Sequence, residues 1–153
     1  MRPAALGAAI PVGVTILLDT SAVLAYLSGA ESASAAAASV IDGFVASGRN
    51  LAVVSAITVT EALVRPMRAA SSRAIRAVDD FLLQFPNFRV DPVTVAVARE
   101  AARIRAATAA PTPDSLILAT AVVAPASIVV GNDASWPGLA KRAGLEIRML
   151  VLG

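Results

Sequence analysis

Two aspartates follow apolar stretches that the sequence predicts to be buried strands. Asp19 comes immediately after residues 14–18, and Asp133 stands shortly after residues 128–130. In open parallel sheets, ligands bind beyond the carboxyl ends of the strands. We therefore expect both carboxylates to lie at the edge of the sheet where a ligand would bind.

Two further acidic residues lie near the starts of predicted helices. Glu61 has mostly apolar neighbours in the helix after the second strand, where a carboxylate is usually paired or ligating. Asp114 opens another helix, with Thr112 as its predicted N-cap and Pro113 at the first helical position. Both side chains can face the same cleft as Asp19.

Each acid taken alone also has a purely structural explanation. Asp19 would cap its helix, Asp114 would interact favourably with its helix dipole, and Asp133 would form a turn. Together, however, four carboxylates repel one another, and each pair about 4 Å apart costs about 4 kcal/mol at an effective dielectric constant of about 20. The joint pattern therefore predicts a compensating cation.

Composition narrows the identity of that cation. The 153 residues include no cysteine and no histidine, which excludes disulfides, thiolate or imidazole catalysis and the usual zinc sites. A hard divalent cation with oxygen ligands remains, and Mg²⁺ or Mn²⁺ is favoured. Such a site indicates phosphate chemistry. The net charge is +2, and all but one of the positive side chains are arginines. This basic excess is compatible with nucleic-acid binding but too small to establish that function.

The predicted elements alternate between strands and helices. Strands are predicted at residues 14–18, 51–54, 88–90, 128–130 and 146–150. Helices are predicted at residues 20–27, 34–46, 56–64, 72–84, 93–107 and 113–122, with a shorter one near Leu139. Because such alternation normally produces right-handed crossovers, we predict an α/β fold with a mainly parallel sheet.

The chain before the first strand predicts an N-terminal extension. Residues 1–13 should have little regular structure, since Pro3 and Pro11 disfavour a helix, and the domain proper should occupy residues 14–153. The uncharged stretch before Asp19 is shorter than the roughly 20 apolar residues of a membrane span. We expect a cytoplasmic protein that does not contact the membrane.

From Val14 onwards, the sequence resembles the PIN-domain family, especially the toxin ribonucleases of bacterial VapBC toxin–antitoxin pairs. The matching motifs are Leu18-Asp19-Thr20-Ser21-Ala22, Thr60-Glu61-Ala62, residues 113–121, and Gly131-Asn132-Asp133 followed by Trp136. Their order and spacing are specific together, whereas each motif alone is weak. The resemblance implies a PIN-like three-layer sandwich with a mainly parallel five-stranded sheet flanked by helices.

The same resemblance implies a function and a site. The implied activity is a metal-dependent endoribonuclease, with metal-activated water attacking an RNA phosphodiester, and the implied partners are a cognate small antitoxin and a second copy of the chain. Gly131 departs from the family, which usually has Thr or Ser there. The implied metal ligands for Mg²⁺ or Mn²⁺ are Asp19, Glu61, Asp114 and Asp133, and the supporting residues are Thr20, Ser21 and Asn132.

Other functions also place acids at strand ends. A catalytically inactive PIN-like module that binds RNA or protein is the main alternative, although it would not need all four acids. A phosphatase of the haloacid dehalogenase type needs an aspartate where Ser21 stands. A phospho-acceptor receiver domain needs a paired acid near its first strand, and this chain has none.

Arginines and aromatic residues give weaker signals. The arginines within residues 65–76 and 99–105 would either contact RNA phosphates or form a solvated helix face with pairs such as Arg76 and Asp80, and the second interpretation is favoured. Trp136 would stack a base or join the core, and the core is favoured, as it is for Phe88.

Overall fold

The computed structural model describes residues 3–30 and 32–153, in which short strands alternate with helices. The strands are β1 (Thr15–Leu18), β2 (Leu51–Ser55), β3 (Phe88–Asp91), β4 (Ile128–Gly131) and β5 (Arg148–Val151). The α-helices are α1 (Pro3–Ala9), α2 (Thr20–Ser28), α3 (Ser34–Val40), α4 (Ala56–Arg68), α5 (Ser72–Gln84), α6 (Val95–Thr108), α7 (Thr112–Val123) and α8 (Trp136–Arg142). A π-helical turn, Ile41–Val45, follows α3 directly.

The strands form a five-stranded parallel sheet in the order β3-β2-β1-β4-β5. Leu17 of the central strand β1 stands opposite Val53 of β2 on one side and Val129 of β4 on the other. The chain therefore places β2 and β3 on one side of β1 and then returns to place β4 and β5 on its other side. This reversal is the topological switch point at which open α/β sheets bind ligands. The predicted parallel α/β sheet is confirmed.

Alternate side chains of each strand face opposite sides of the sheet and contribute to two hydrophobic cores. Ile16 and Leu18 belong to a core that includes residues of α2, α3 and α5. Leu17 belongs to a second core with residues of α6, α7 and α8. All three side chains are fully buried, as expected for a parallel sheet covered on both faces. The layers are helices, sheet and helices, which confirms the implied three-layer sandwich.

The prediction of little structure in residues 1–13 is wrong, because Pro3–Ala9 form α1. Pro3 is the first helical residue, where a missing N–H costs little, and Pro11 comes after the helix has ended. Leu6 and Ile10 are fully buried in the same core as β1. The Arg49 guanidinium donates to the carbonyl of Ile10 at 2.7 Å, which fastens this segment to the loop before β2. The domain boundary at residue 14 stays a prediction.

Several element ends differ from the prediction. The helix predicted at 34–46 becomes π-helical after Val40, and the Ala46 N–H bonds to the Ile41 carbonyl five residues earlier. Helix α4 continues through Pro66 to Arg68 instead of stopping at residue 64. No helix within residues 3–30 and 32–153 has both the length and the apolar character needed to cross a bilayer.

We expect Leu6→Ala to lower the free energy of unfolding by about 2–5 kcal/mol, the usual cost of truncating a buried leucine. Val12→Ala is the matched control, since the Val12 side chain is 72% exposed, and should change it by less than about 0.5 kcal/mol. Urea denaturation followed by circular dichroism measures both. Equal effects of the two substitutions would show that α1 adds nothing to the core.

Candidate active site

The four predicted acids line one pocket at the carboxyl edge of the sheet. This acidic pocket has a volume of about 310 Å³ and opens to solvent. Asp19 follows β1 and Asp133 follows β4, so both stand at the switch point, while helices α4 and α7 bring in the other two acids. None of the described residues that line the pocket is basic. The lining residues are Asp19, Thr20, Ser21, Leu24, Glu61, Asp114, Asp133 and Trp136.

Asp19 is both a helix cap and a wall of the acidic pocket. It is the N-cap of α2, and its Oδ2 accepts hydrogen bonds from the Ser21 backbone N–H at 3.3 Å and from Ser21 Oγ at 2.6 Å. Its own N–H donates to the Val130 carbonyl at 2.9 Å, which ties the end of β1 to β4. The side chain is 6% exposed. These bonds hold the carboxylate in a fixed position.

Ser21 connects Asp19 to the loop after β4. The Asn132 backbone N–H donates to Ser21 Oγ at 2.8 Å, while the same hydroxyl donates to Asp19. The Asn132 side-chain oxygen in turn accepts from the Gly153 N–H at 3.1 Å. The structure therefore places Ser21 at the switch point, where its hydroxyl joins two strand ends, and gives the Asn132 side chain a role away from the carboxylates.

Gly131 leaves room for the Asp19 carboxylate. A Cβ atom at residue 131 would lie 3.1 Å from both Cβ and Oδ2 of Asp19, closer than ordinary van der Waals contact. A serine or threonine here would therefore require Asp19 to shift. The hydroxyl that the family resemblance leads us to expect at this residue is absent, and Ser21 donates its own hydroxyl proton to Asp19.

Glu61 is connected to two threonine hydroxyls, the first of which donates to it directly. The Thr20 hydroxyl donates a short hydrogen bond to Glu61 Oε2, and Thr58 Oγ1 lies 3.1 Å from Thr20 Oγ1. Thr58 is fully buried. Sequence reasoning missed Thr58, although its position three residues before Glu61 places both on one face of α4.

Asp114 and Asp133 are held less firmly. Asp114 lies in the first turn of α7, is half-buried, and accepts no hydrogen bond from any described residue. The helix begins at Thr112 itself, so the predicted N-cap role of that residue is wrong. Asp133 is exposed, and its Oδ1 accepts from the Ser135 N–H at 2.7 Å. This bond is the turn interaction predicted as the structural alternative for Asp133.

Burial and mutual repulsion raise the pKa of two of these carboxyls. Burial is the main cause of the raised pKa of Asp19, with a smaller contribution from the charge of Glu61 and an opposing one from the hydrogen bonds of Ser21. Burial also raises the pKa of Asp114, and the charges of Glu61 and Asp133 add to it. The charge of Glu61 therefore disfavours the ionisation of both Asp19 and Asp114 across the acidic pocket.

The carboxylate oxygens of the pocket fit a hard cation, although they do not form a complete coordination shell. Among residues 3–30 and 32–153, no three acidic side chains are grouped tightly enough to form a metal-binding cluster. Mg²⁺ usually keeps several water ligands and binds only one or two protein carboxylates directly. The oxygen-only donors and the lack of a basic lining residue among those described fit such a partly hydrated ion.

The aromatic residues considered for base stacking belong to the interior. Phe88 packs against Phe81 with ring centroids 5.0 Å apart. Trp136 is only 5% exposed and belongs to the second core, although it also lines the acidic pocket. The core interpretation of Trp136 and Phe88 fits these contacts.

The fold and the pocket define an α/β protein with an acidic site at the switch point of a parallel sheet. The family model of the PIN domain matches residues 16–142, and the chain therefore belongs to the PIN domain family. No curated protein sequence matches the chain significantly.

Solved structures with the same fold include toxin–antitoxin proteins. VapBC2 from Rickettsia felis, bound to a DNA fragment from its promoter, has a TM-score of 0.69 and 12% identity over 91% of this chain and 99% of that chain. Mycobacterium tuberculosis VapC20, described as a sarcin–ricin loop cleaving toxin, has a TM-score of 0.66 and 20% identity over 87% and 98%. FitAcB from Neisseria gonorrhoeae has a TM-score of 0.63 and 22% identity over 87% and 96%. At these identities the likeness establishes the fold.

The raised pKa values predict how stability depends on pH. Folded Asp19 and Asp114 bind their protons more tightly than in the unfolded chain. Their stabilising contribution is complete below the ordinary pKa of 3.8 and is lost as the pH rises through the raised values. Replacing both aspartates with asparagine should therefore make the metal-free protein increasingly more stable than the wild type as the pH rises above that value.

Urea denaturation in EDTA at a series of pH values measures this difference in unfolding free energy. Asp80→Asn, at an exposed position on α5 outside the acidic pocket, is the control for replacing an aspartate with asparagine. A pH-independent difference for the double variant would contradict the assignment of repulsion and burial to the acidic pocket.

Proposed function

We propose that this protein is a metal-dependent endoribonuclease that cleaves RNA phosphodiester bonds and acts as the toxin of a toxin–antitoxin pair. The observation that carries the proposal is the acidic pocket, in which four carboxylates share one opening with no basic lining residue among those described. The similarity in fold to a structure described as a sarcin–ricin loop cleaving toxin supports RNA as the substrate.

The residues of the pocket would have different roles in binding the cation and in activating water. Mg²⁺ or Mn²⁺, when bound, supplies an activated water and neutralises negative charge at the phosphate. Ser21 donates to Asp19 and Thr20 donates to Glu61, so that both carboxylates are held in place where they would bind the cation. Asp114, which no described residue bonds, is free to orient or deprotonate the attacking water.

An inactive PIN-like module that binds RNA or protein is the alternative. Such a module would not need to gather four carboxylates in one pocket, where the charge of Glu61 disfavours the ionised forms of Asp19 and Asp114. The raised pKa of each aspartate is due mainly to its burial, which adds to this cost. The cost favours the nuclease over the binding module.

Removing a single carboxylate tests the nuclease. We expect Asp114→Asn and Asp19→Asn each to reduce Mg²⁺-dependent RNA cleavage by about 100-fold or more, since metal catalysis supplies several kcal/mol of transition-state stabilisation. Thermal unfolding should show that both variants remain folded, and Asp80→Asn should cleave like the wild type. Cleavage by the wild type that is undiminished in EDTA would refute a metal-dependent mechanism.

A second cavity offers a place for the antitoxin. A groove of about 500 Å³ between α2, α4 and α5 adjoins the acidic pocket, and Leu24 and Glu61 line both. Apolar side chains such as Leu27 and Val78 line much of it. We call it the arginine-rimmed groove because Arg65 and Arg73 also line it, and neither forms an ion pair with a described residue.

We propose that an amphipathic segment of the antitoxin, with apolar and acidic side chains, occupies this groove. Its charge would complement the arginines, and its position beside Glu61 would cover the acidic pocket. Solved structures of this fold from Klebsiella pneumoniae and Salmonella typhimurium are toxin–antitoxin complexes. We further propose that the protein is a cytoplasmic homodimer, which size-exclusion chromatography with light scattering would test for its oligomeric state.

An acidic substitution tests the groove. We expect Ala77→Glu on α5 to weaken binding to the antitoxin, taken as the product of the neighbouring upstream open reading frame, by about 10-fold or more. The reason is that an acidic side chain in the groove would repel an acidic partner. Calorimetry measures the affinity, and RNA cleavage by the variant should persist. Ala102→Glu on the exposed face of α6 is the control. Equal affinities of the two variants would exclude the groove as the binding site.

A further inference from the structure

Glu61 needs more support than the two aspartates that follow strands. It reaches the acidic pocket from the second turn of α4, on a longer side chain with more rotatable bonds, and fixing such a side chain costs up to about 2 kcal/mol of conformational entropy. The negative charge of Glu61 also repels Asp19 and Asp114. Without a specific hydrogen bond, solvation and repulsion would draw this carboxylate out of the pocket.

The Thr20 hydroxyl supplies that bond, but it can point in more than one direction. A threonine hydroxyl has a single proton, and both Glu61 Oε2 and Thr58 Oγ1 lie within hydrogen-bonding distance of Thr20 Oγ1. If Thr20 donated to Thr58, Glu61 would lose its donor. The direction of the Thr58 hydroxyl therefore decides whether Glu61 is held.

We propose that Thr58 is a positioning residue: by donating its proton to Thr20 Oγ1 it holds the Thr20 side chain in place and leaves the Thr20 proton for Glu61. Thr58 is fully buried, so no water competes for its hydroxyl. The chain Thr58 to Thr20 to Glu61 gives each hydroxyl one donated bond. The importance of this arrangement for cation binding rests on the proposed function, whereas the position of the Glu61 side chain does not.

Thr120 provides a matched control in the same interior. Its hydroxyl is equally buried and lies 3.1 Å from Ser55 Oγ, the same distance as between Thr58 and Thr20. No described hydrogen bond connects Thr120 to an acid of the pocket. Thr120→Val therefore removes a comparable buried hydroxyl without disturbing Glu61.

The experiment compares Thr58→Val, Thr58→Ser and Thr120→Val by crystallography and by Mn²⁺ binding measured with electron paramagnetic resonance. In Thr58→Val the Thr20 oxygen loses the donor that holds it in place. We therefore expect the Thr20 side chain to move, Glu61 to lose its bond to Thr20, and the Mn²⁺ dissociation constant to rise by about 10- to 100-fold, the usual effect of losing an outer hydrogen-bond partner of a metal ligand. Thr58→Ser should restore both properties. Thr120→Val should bind Mn²⁺ like the wild type, even if it is less stable.

Two outcomes would overturn the proposal. One is a Thr58→Val structure in which Glu61 still accepts from Thr20, and the other is an equal loss of Mn²⁺ affinity in Thr120→Val. If Thr58→Val does not fold, Thr58→Ala replaces it and is judged by the same two measurements. If the wild type binds no Mn²⁺, the proposed function fails, and the position of Glu61 in the crystal still decides the role of Thr58.

Discussion

The burial of ionisable carboxyl groups at the edge of a parallel sheet, to which repulsion from neighbouring acids adds, is the constraint on which the site depends. Asp19 is buried, and its neighbour Glu61 adds to the cost of ionising it. Burying a charge is costly unless hydrogen bonds or an opposite charge compensate. Here Ser21 and Thr20 provide hydrogen bonds, and no basic side chain lines the described pocket. No described basic side chain of the pocket therefore balances the negative charge of its carboxylates, and a bound cation would balance it.

The hydroxyl groups divide the four acids into two classes. Asp19 and Glu61 are each fixed by a neighbouring hydroxyl on α2, a helix that starts directly at the end of the central strand. Asp114 and Asp133 lack such support from side-chain hydroxyls among the described residues and stand nearer to solvent. In the proposed function, fixed carboxylates on one side and freer carboxylates on the other would suit a site that holds an ion and also accepts a large polyanion.

Helix α2 also connects the site to the rest of the molecule. Its N-terminus carries Thr20 and Ser21 into the acidic pocket, and Leu24 and Leu27 line the arginine-rimmed groove. In the proposed function, a partner seated in that groove would lie within one helix of the catalytic carboxylates. Neutralisation of the toxin would then require no conformational change, because the bound segment would cover the opening.

The sequence by itself determined the elements and the acids, because both are local signals. Apolar periodicity located the five strands, and the rule that ligands bind at the carboxyl ends of parallel strands singled out Asp19 and Asp133. Only the tertiary structure decided the strand order that places those ends side by side, the contact between Gly131 and Asp19, and the pairing of Thr58 with Thr20. It also decided the packing of α1 against the core. This helix was not predicted from the sequence because Pro3 and Pro11 disfavour one. These features join residues far apart in the chain, and local residue patterns carry no information about such distances.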